Sequence, residues 1–278
     1  MESTGPSWTP PGPSWLFCPA DRPERYAKAA AAADVVILDL EDGVAPADRA
    51  AARQALLDTP LDPEHTVVRI NAHGSEDQRL DLEALRKTRY SRVMLPKCES
   101  PEQVRLLMPY GVIALIESPL GVLTVTESVQ EVNAVAVMWG AEDLIAGLGG
   151  TASRRADGSY REVACHLRST CLLAAKAYGR LAIDGVFLDI ANLEGLRAEC
   201  DDAVAVGFDV KVAIHPSQVL VIGEAFAPSE AEVDWARRVL AAAEKERGVF
   251  SFEGKMVDAP VFRHAEQIIR RAGIQQRA

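Results

Sequence analysis

The stretch "VAVMWGAED" (residues 135–143) decides the fold. Small apolar and β-prone residues run from Val135 to Trp139 without polar alternation. That is the pattern of a strand covered on both faces, as in a parallel sheet. The run then ends in two adjacent acids, Glu142 and Asp143, which tolerate apolar surroundings only where a cation meets them. Outward from this segment the same pattern recurs in "WLFCP" (15–19), "VVILDLE" (35–41), "TVVRIN" (66–71), "RVMLPK" (92–97), "VIALIES" (112–118), "GVFLDI" (185–190) and "KVAIHP" (211–216). Helical patterns separate the runs, at 22–33, 46–57, 77–87, 101–108, 120–130, 162–178, 192–206 and 217–226. Eight strand–helix units predict an α/β protein, a (β/α)8 barrel over residues 15–228. The structural alternative, a doubly wound sheet, carries a Gly-rich phosphate turn after its first strand. Here "LFCPADRPERY" (16–26) holds no glycine, and "GLGG" (147–150) reads as a loop after the sixth run.

Two segments flank the barrel. "MESTGPSWTPPGPS" (1–14) is rich in Pro, Ser and Gly and reads as a disordered tail, without the charged and apolar regions of a signal peptide. Residues 229–278 are an extension that a closed barrel does not require. Ser229 and Glu232 form a capping box for a helix that Gly248 ends. "VFSFEGKMVDAP" (249–260) and an amphipathic helix, "VFRHAEQIIRRAG" (261–273), complete it. The extension is expected to pack on a neighbouring subunit or to cover a site.

The 278 residues are 48% hydrophobic and 25% charged, an ordinary globular composition. A net charge of −10 argues against a nucleic-acid surface, yet leaves room for a local basic pocket that takes a small anion. Five cysteines, odd in number and without CxxC spacing, suit neither a disulfide framework nor a zinc site. They fit reduced thiols and a cytoplasmic protein; Cys98, next to Lys97, reads as a buried thiol. No apolar run reaches the roughly 18 residues of a membrane span.

In such barrels the chemistry lies at the C-terminal ends of the strands. Those ends carry Asp39/Glu41/Asp42, Arg69/Asn71, Lys97, Glu117, Glu142/Asp143, Asp189 and His215. Glu117 and Asp143 end neighbouring strands, which lie roughly 4.8 Å apart, so their carboxylates can share one ion. A hard-oxygen set without His or Cys favours Mg²⁺ or Mn²⁺. On a continued strand Glu142 and Asp143 point opposite ways, so one at most is a ligand. Asp39 and Glu41 share a face, where they either hold waters of the ion or serve as caps. Arg69, on one face with Asn71, offers a fork of donors to a substrate carboxylate or enolate, or balances the acids. Lys97 allows a Schiff-base aldolase if burial lowers its pKa. A ring of acids raises that pKa instead, and so favours an electrostatic role. His215 is either a pocket donor or a strand-end cap.

Taken together, "LFCPADRPERYAKA", "VVILDLEDGVAP", "VRIN", "MLPKCES", "ALIESPLGV", "WGAEDL", "AIDGVFLDI" and "AIHPSQV" resemble the citrate lyase beta-subunit-like family of the HpcH/HpaI aldolase group. Malyl-CoA and citramalyl-CoA lyases are its relatives, and the resemblance runs from about residue 15 to 272. It implies Glu117 and Asp143 as Mg²⁺ ligands, and Arg69, Glu117, Gly140 and Ala141 as the substrate-binding set. Arg22, Arg25, Lys28 and His215 fall where relatives place CoA, while Asp39, Glu41, Asp42 and Lys97 support the site. It also implies a homotrimer in which "GKMVDAP" crosses to the next subunit and brings a catalytic acid, Asp258. The implied reaction is a reversible retro-Claisen cleavage of a 3-hydroxyacyl-CoA of the malyl, citramalyl, citryl or hydroxymethylglutaryl type. Asp258 acts as base and Arg69 holds the oxo-acid part. Two other readings are the beta subunit of a multi-protein citrate lyase, served by a carrier protein, and a non-catalytic CoA-binding regulator. No acyl-carrier or transferase domain is recognised within the chain, and Arg69, Glu117, Asp143 and Asp258 are all intact.

Overall fold

The computed structural model describes residues 8–243 and 249–275. Eight parallel strands close into a barrel in chain order: β1 (Ser14–Pro19), β2 (Val35–Asp39), β3 (Thr66–Arg69), β4 (Arg92–Leu95), β5 (Gly111–Ile116), β6 (Ala134–Trp139), β7 (Leu181–Asp184) and β8 (Val210–Ala213). β1 pairs with both β2 and β8, which excludes the open doubly wound sheet. Helices α1 (Tyr26–Ala32), α2 (Arg49–Asp58), α3 (Glu76–Leu85), α4 (Pro101–Arg105), α5 (Pro119–Ser128), α6 (Ala141–Gly147), α7 (Glu162–Ala177), α8 (Leu193–Val206) and α9 (Pro216–Phe226) alternate with them. Among the described residues no helix is long and apolar enough to cross a membrane.

The strands read as continuous apolar runs because each faces two cores. Trp15, Val35, Ile37, Val67, Ile113, Leu115 and Met138 fill the barrel interior. The alternate residues, such as Leu16, Val36, Leu38, Val68, Ala114 and Val137, pack beneath the helices. This alternation places the chemistry: one step past the last inward apolar residues come Asp39 after Ile37, Arg69 after Val67 and Glu117 after Leu115. Asp39 and Arg69 are direct register partners across β2 and β3.

The structure departs from the sequence reading at several points. The seventh strand is "LAID" (181–184), not "GVFLDI" (185–190). The latter run is apolar because it walls the mouth: Phe187 is buried, and Val186 and Leu188 line a cavity there. Asp189 is consequently an exposed loop residue rather than a strand end. β6 stops at Trp139, so Glu142 and Asp143 lie in the first turn of α6 and strand alternation does not govern them. Asn71 turns away from Arg69: its amide donates to Asp81 Oδ2 and to the Leu40 carbonyl, at 2.8 and 3.0 Å. Within the expected disordered tail, residues 8–13 pack under the barrel, with Trp8 stacked 5.4 Å from Trp15 and Gly12 accepting the Trp15 indole N–H.

The C-terminal extension holds α10 (Glu230–Ala243), a hairpin of β9 (Phe250–Phe252) and β10 (Lys255–Val257), and α11 (Ala259–Gln275). It has its own small core of Ala236, Val239, Val257, Ala265 and Ile268. The Ser229–Glu232 capping box forms as the sequence indicates, while Gly248 lies outside the described residues. All five cysteines are free.

One buried charge cluster fixes the β7–β8 side. Lys211, 1% exposed, points outward from β8 and donates to Asp184 Oδ2 at 2.8 Å and to the Gly185 carbonyl at 3.0 Å. Asp184 also accepts from Arg168 and from the Trp139 indole N–H, so each buried charge is met. Removing one partner leaves the other unpaired in a dry site. Lys211→Met is therefore expected to lower the unfolding free energy by about 3–5 kcal/mol, as measured by chemical denaturation.

Candidate active site

The strand ends on the C-terminal side surround a cavity of about 120 Å³ lined by Phe17, Arg69, Glu117, Trp139, Asp143 and Tyr160, among others. Arg69 is its organising cation. Its Nε and Nη2 donate to the two oxygens of Asp39 at 2.7 and 2.6 Å, and its Nη1 lies 3.1 Å from Glu41. The Phe17 ring lies under the guanidinium at 4.7 Å. Asp39 also accepts the backbone N–H groups of Glu41 and Gly43, which folds the β2 loop back over the strand end. The fork of Arg69 is thus held in place and cannot swing freely.

Lys97 is the second cation. Its backbone sits at φ 49°, a left-handed conformation unfavourable for a residue with a Cβ. That turn aims its N–H at Glu117 Oε1, 3.0 Å away, and sends the ammonium among the acids. Nζ lies 2.7 Å from Glu41, 3.7 Å from both Asp42 and Asp143, and 4.0 Å from Glu117. Burial pulls its pKa down, but the Glu41 hydrogen bond and the surrounding carboxylates outweigh this and hold it above the usual value. A permanently charged ammonium is a poor imine nucleophile, which favours the electrostatic role over the Schiff-base reading.

Glu117, 5% exposed, is pushed up to about 8, first by burial and then by the charge of Asp143. Burial also raises Glu41, against the pull of Arg69 and Lys97, and its Oε2 has no hydrogen-bond partner. Five carboxylates (Asp39, Glu41, Asp42, Glu117, Asp143) thus face two cations, so the mouth is short of positive charge. The donors are all hard oxygens, and they fit a small divalent cation next to Glu117 and Asp143. Among the described residues no group of three or more His, Cys, Asp or Glu is placed to hold a metal ion. Gly140 has a steric reason to be glycine: a Cβ there would lie 2.8 Å from Glu117 Oε2. Ala141, the first residue of α6, is buried beside it.

The other sequence candidates stand around this centre. Arg22, Arg25 and Lys28 follow β1 and are exposed on the rim, outside the small cavity. His215 follows β8, the neighbour of β1, so these four residues share one sector of the rim. The cap reading of His215 is what the structure holds, since its Nδ1 accepts the Ser217 N–H at the start of α9. Asp258 lies between β10 and α11 and does not line the cavity of its own chain. Glu142 also lines the cavity, and its carboxylate accepts the Ser153 hydroxyl at 2.6 Å. Phe17, Trp139 and Tyr160 were not among the sequence candidates. Phe17 was recoverable from the inward alternation of β1, whereas Tyr160 sits on an irregular loop and is brought in by its edge-on contact with Trp139.

A family model described as HpcH/HpaI aldolase/citrate lyase matches residues 14–216. The chain belongs to this family. A second model, for carbon–carbon bond lyases of the TIM-barrel fold, matches residues 161–275, and the chain is accordingly a lyase. The citrate lyase subunit beta-like protein of Mycobacterium tuberculosis is 65% identical over 262 residues, covering 94% of this chain and 96% of that protein. The mitochondrial citramalyl-CoA lyase of Homo sapiens is 33% identical, covering 85% of this chain and 78% of that protein. Among solved structures, CitE from Mycobacterium tuberculosis in complex with magnesium, acetoacetate and coenzyme A superposes with a TM-score of 0.89 at 65% identity, covering 94% of this chain and 98% of that one.

The raised pKa of Glu117 makes a prediction for this family member without metal. A carboxyl that is harder to ionise in the fold than in the unfolded chain contributes stability below its ordinary value of 4.5, and that contribution is lost as pH rises through about 8. In the presence of a chelator, the wild type should therefore lose stability relative to Glu117→Gln between these two values, by a few kcal/mol. Parallel thermal-melting profiles for the two proteins across that range would contradict it.

Proposed function

We propose that the protein is a divalent-cation-dependent lyase that cleaves a short 3-hydroxyacyl-CoA thioester to acetyl-CoA and an oxo acid. The observation that carries this reading is the clamped Arg69 fork beside a Glu117/Asp143 pair that shares a single cation, Lys97, with Glu41 and Asp42. The complex of the CitE relative with magnesium, acetoacetate and coenzyme A supports it. Glu117 and Asp143 would hold Mg²⁺ or Mn²⁺, which would supply positive charge to polarise the oxo-acid oxygens. Arg69 donates to the carboxylate and to the oxygen that becomes the carbonyl, in the water-poor corner bounded by Phe17, Trp139 and Tyr160. Lys97, Asp39, Glu41 and Asp42 hold these groups in place.

Asp258 removes the proton of the substrate 3-hydroxyl. The electron pair of that O–H bond forms the carbonyl of the oxo acid as the adjacent carbon–carbon bond breaks. The enolate of acetyl-CoA leaves and takes up a proton. Arg22, Arg25 and Lys28 receive the CoA nucleotide, to which their positive charge is suited, and His215 stands in the same sector. Because Asp258 does not line its own cavity, it serves the site of a neighbouring subunit, in a homotrimer of cytoplasmic chains with reduced thiols. Citramalyl-, malyl-, citryl- and hydroxymethylglutaryl-CoA all meet this chemistry.

The test is turnover of those four free esters by wild type, Asp258→Asn and Glu117→Gln, alone and co-expressed. Acetyl-CoA and oxo acid should appear in equal amounts with the wild type. Each variant alone should be nearly inactive, while mixed oligomers regain part of the activity from sites with intact Glu117 and Asp258 on different chains. Turnover only of carrier-bound thioesters, or release of free CoA in place of acetyl-CoA, would contradict the reaction. An active monomer would contradict the shared site.

A further inference from the structure

The opposite end of the barrel holds a second cavity, of about 440 Å³, where β6 and β7 begin and the N-terminal segment passes beneath them. Val135 at the start of β6 lines it, whereas Trp139 at the end of the same strand lines the catalytic cavity. At ~3.3 Å per residue the two lie roughly 13 Å apart along the strand. The floor cavity collects Lys176, Arg180, Arg270 and Arg271, against the single acid Asp209. In a chain of net charge −10 that local excess of cations needs a reason.

Their partners identify which charges are free. Lys176 is committed to Asp209, 2.6 Å from each of its oxygens. Arg180 donates to the carbonyls of Val129 and Glu131 at 3.1 Å, which anchors the guanidinium without neutralising it. Arg271, half-buried on α11, makes no hydrogen bond or ion pair with any described residue. Glu232, which also accepts the Ser229 cap, and Asp209 act on its charge only at longer range. Burial lowers the pKa of both arginines, yet a guanidinium stays charged in proteins. Two partly desolvated guanidinium groups thus face one cavity, neither of them in a direct ion pair with a described residue. The walls between them are apolar, with Trp8, Pro10, Phe208 and Phe226. A mostly apolar concavity of this size with a few convergent charges is the form of a small-molecule site.

We propose that this cavity binds a small organic anion, its acidic group meeting Arg180 and Arg271 and its apolar body lying against Trp8 and Phe208. Arg180 belongs to the barrel, whereas Arg271 belongs to the helix that follows Asp258. An occupant therefore ties the tail to the barrel floor, at a distance from the catalytic mouth.

The experiment is a fluorescence titration of the intact protein with 8-anilinonaphthalene-1-sulfonate, an anion with a flat apolar body. Arg271→Gln should weaken binding about tenfold, the scale of one lost charge-assisted contact. Arg263→Gln, on an exposed part of the same helix, should leave it unchanged. Since Arg271 makes no direct hydrogen bond or ion pair with a described residue, its replacement should leave the melting temperature nearly unchanged. Equal affinity in wild type and Arg271→Gln would overturn the proposal. So would an absence of binding to the wild type, which would mean that the cavity is filled by other chain. A fall of several degrees in the melting temperature of Arg271→Gln would also overturn it, by making the residue structural.

Discussion

The clamp of Arg69 on Asp39 is the contact on which the mouth of this barrel depends. It joins direct neighbours in the β2–β3 ladder, so the closed hydrogen-bond register of the sheet sets its geometry. With both Asp39 oxygens engaged, the fork is fixed and Glu41 is drawn to its third face, where Lys97 meets it from β4. Lys97 in turn adopts a left-handed backbone conformation, and its N–H holds Glu117. Each step passes positive charge along a chain of acids, and Glu117 and Asp143 are left to share Lys97 with Glu41 and Asp42. The deficit is local and oriented, as the proposed cation site requires.

Much of this was legible because a parallel barrel imposes two independent regularities. Burial on both faces produces continuous apolar runs, and the same end of every run faces the mouth. The first regularity located seven of the eight strands, and the second located Asp39, Arg69, Lys97 and Glu117. It failed where an apolar run served another purpose. "GVFLDI" is hydrophobic because it walls the site, and the strand before it was passed over because Asp184 interrupts "LAID". That acid is buried against Lys211, a pairing across two strands that local sequence does not display. The end of β6 was overread for a similar reason: "GAED" continues the run, but Gly140 must pass over Glu117 before α6 begins. Asn71 looked like a companion of Arg69 and instead ties β3 to α3 through Asp81. Tyr160 could not be found by periodicity, because it arrives on an irregular loop.

The two ends of the barrel divide the work. The C-terminal end concentrates acids around a small mouth, and the N-terminal end concentrates arginines around a larger, apolar-walled cavity. The extension links them, since α11 carries Arg271 near its end while Asp258 precedes its first residue. The extension has its own small core, and α11 also meets the barrel floor beside Trp8, Phe208 and Phe226.

The claim that the acid ring is built for one divalent cation can be tested without turnover. Binding of Mn²⁺ to the metal-free protein, followed by electron paramagnetic resonance of the free ion, should give one site per chain. Glu117→Gln and Asp143→Asn should each weaken it beyond the roughly 10–100-fold that loss of an outer partner costs. Asp258→Asn should leave it intact. Unchanged Mn²⁺ affinity in Glu117→Gln would contradict the account, because the charge deficit would then have another purpose.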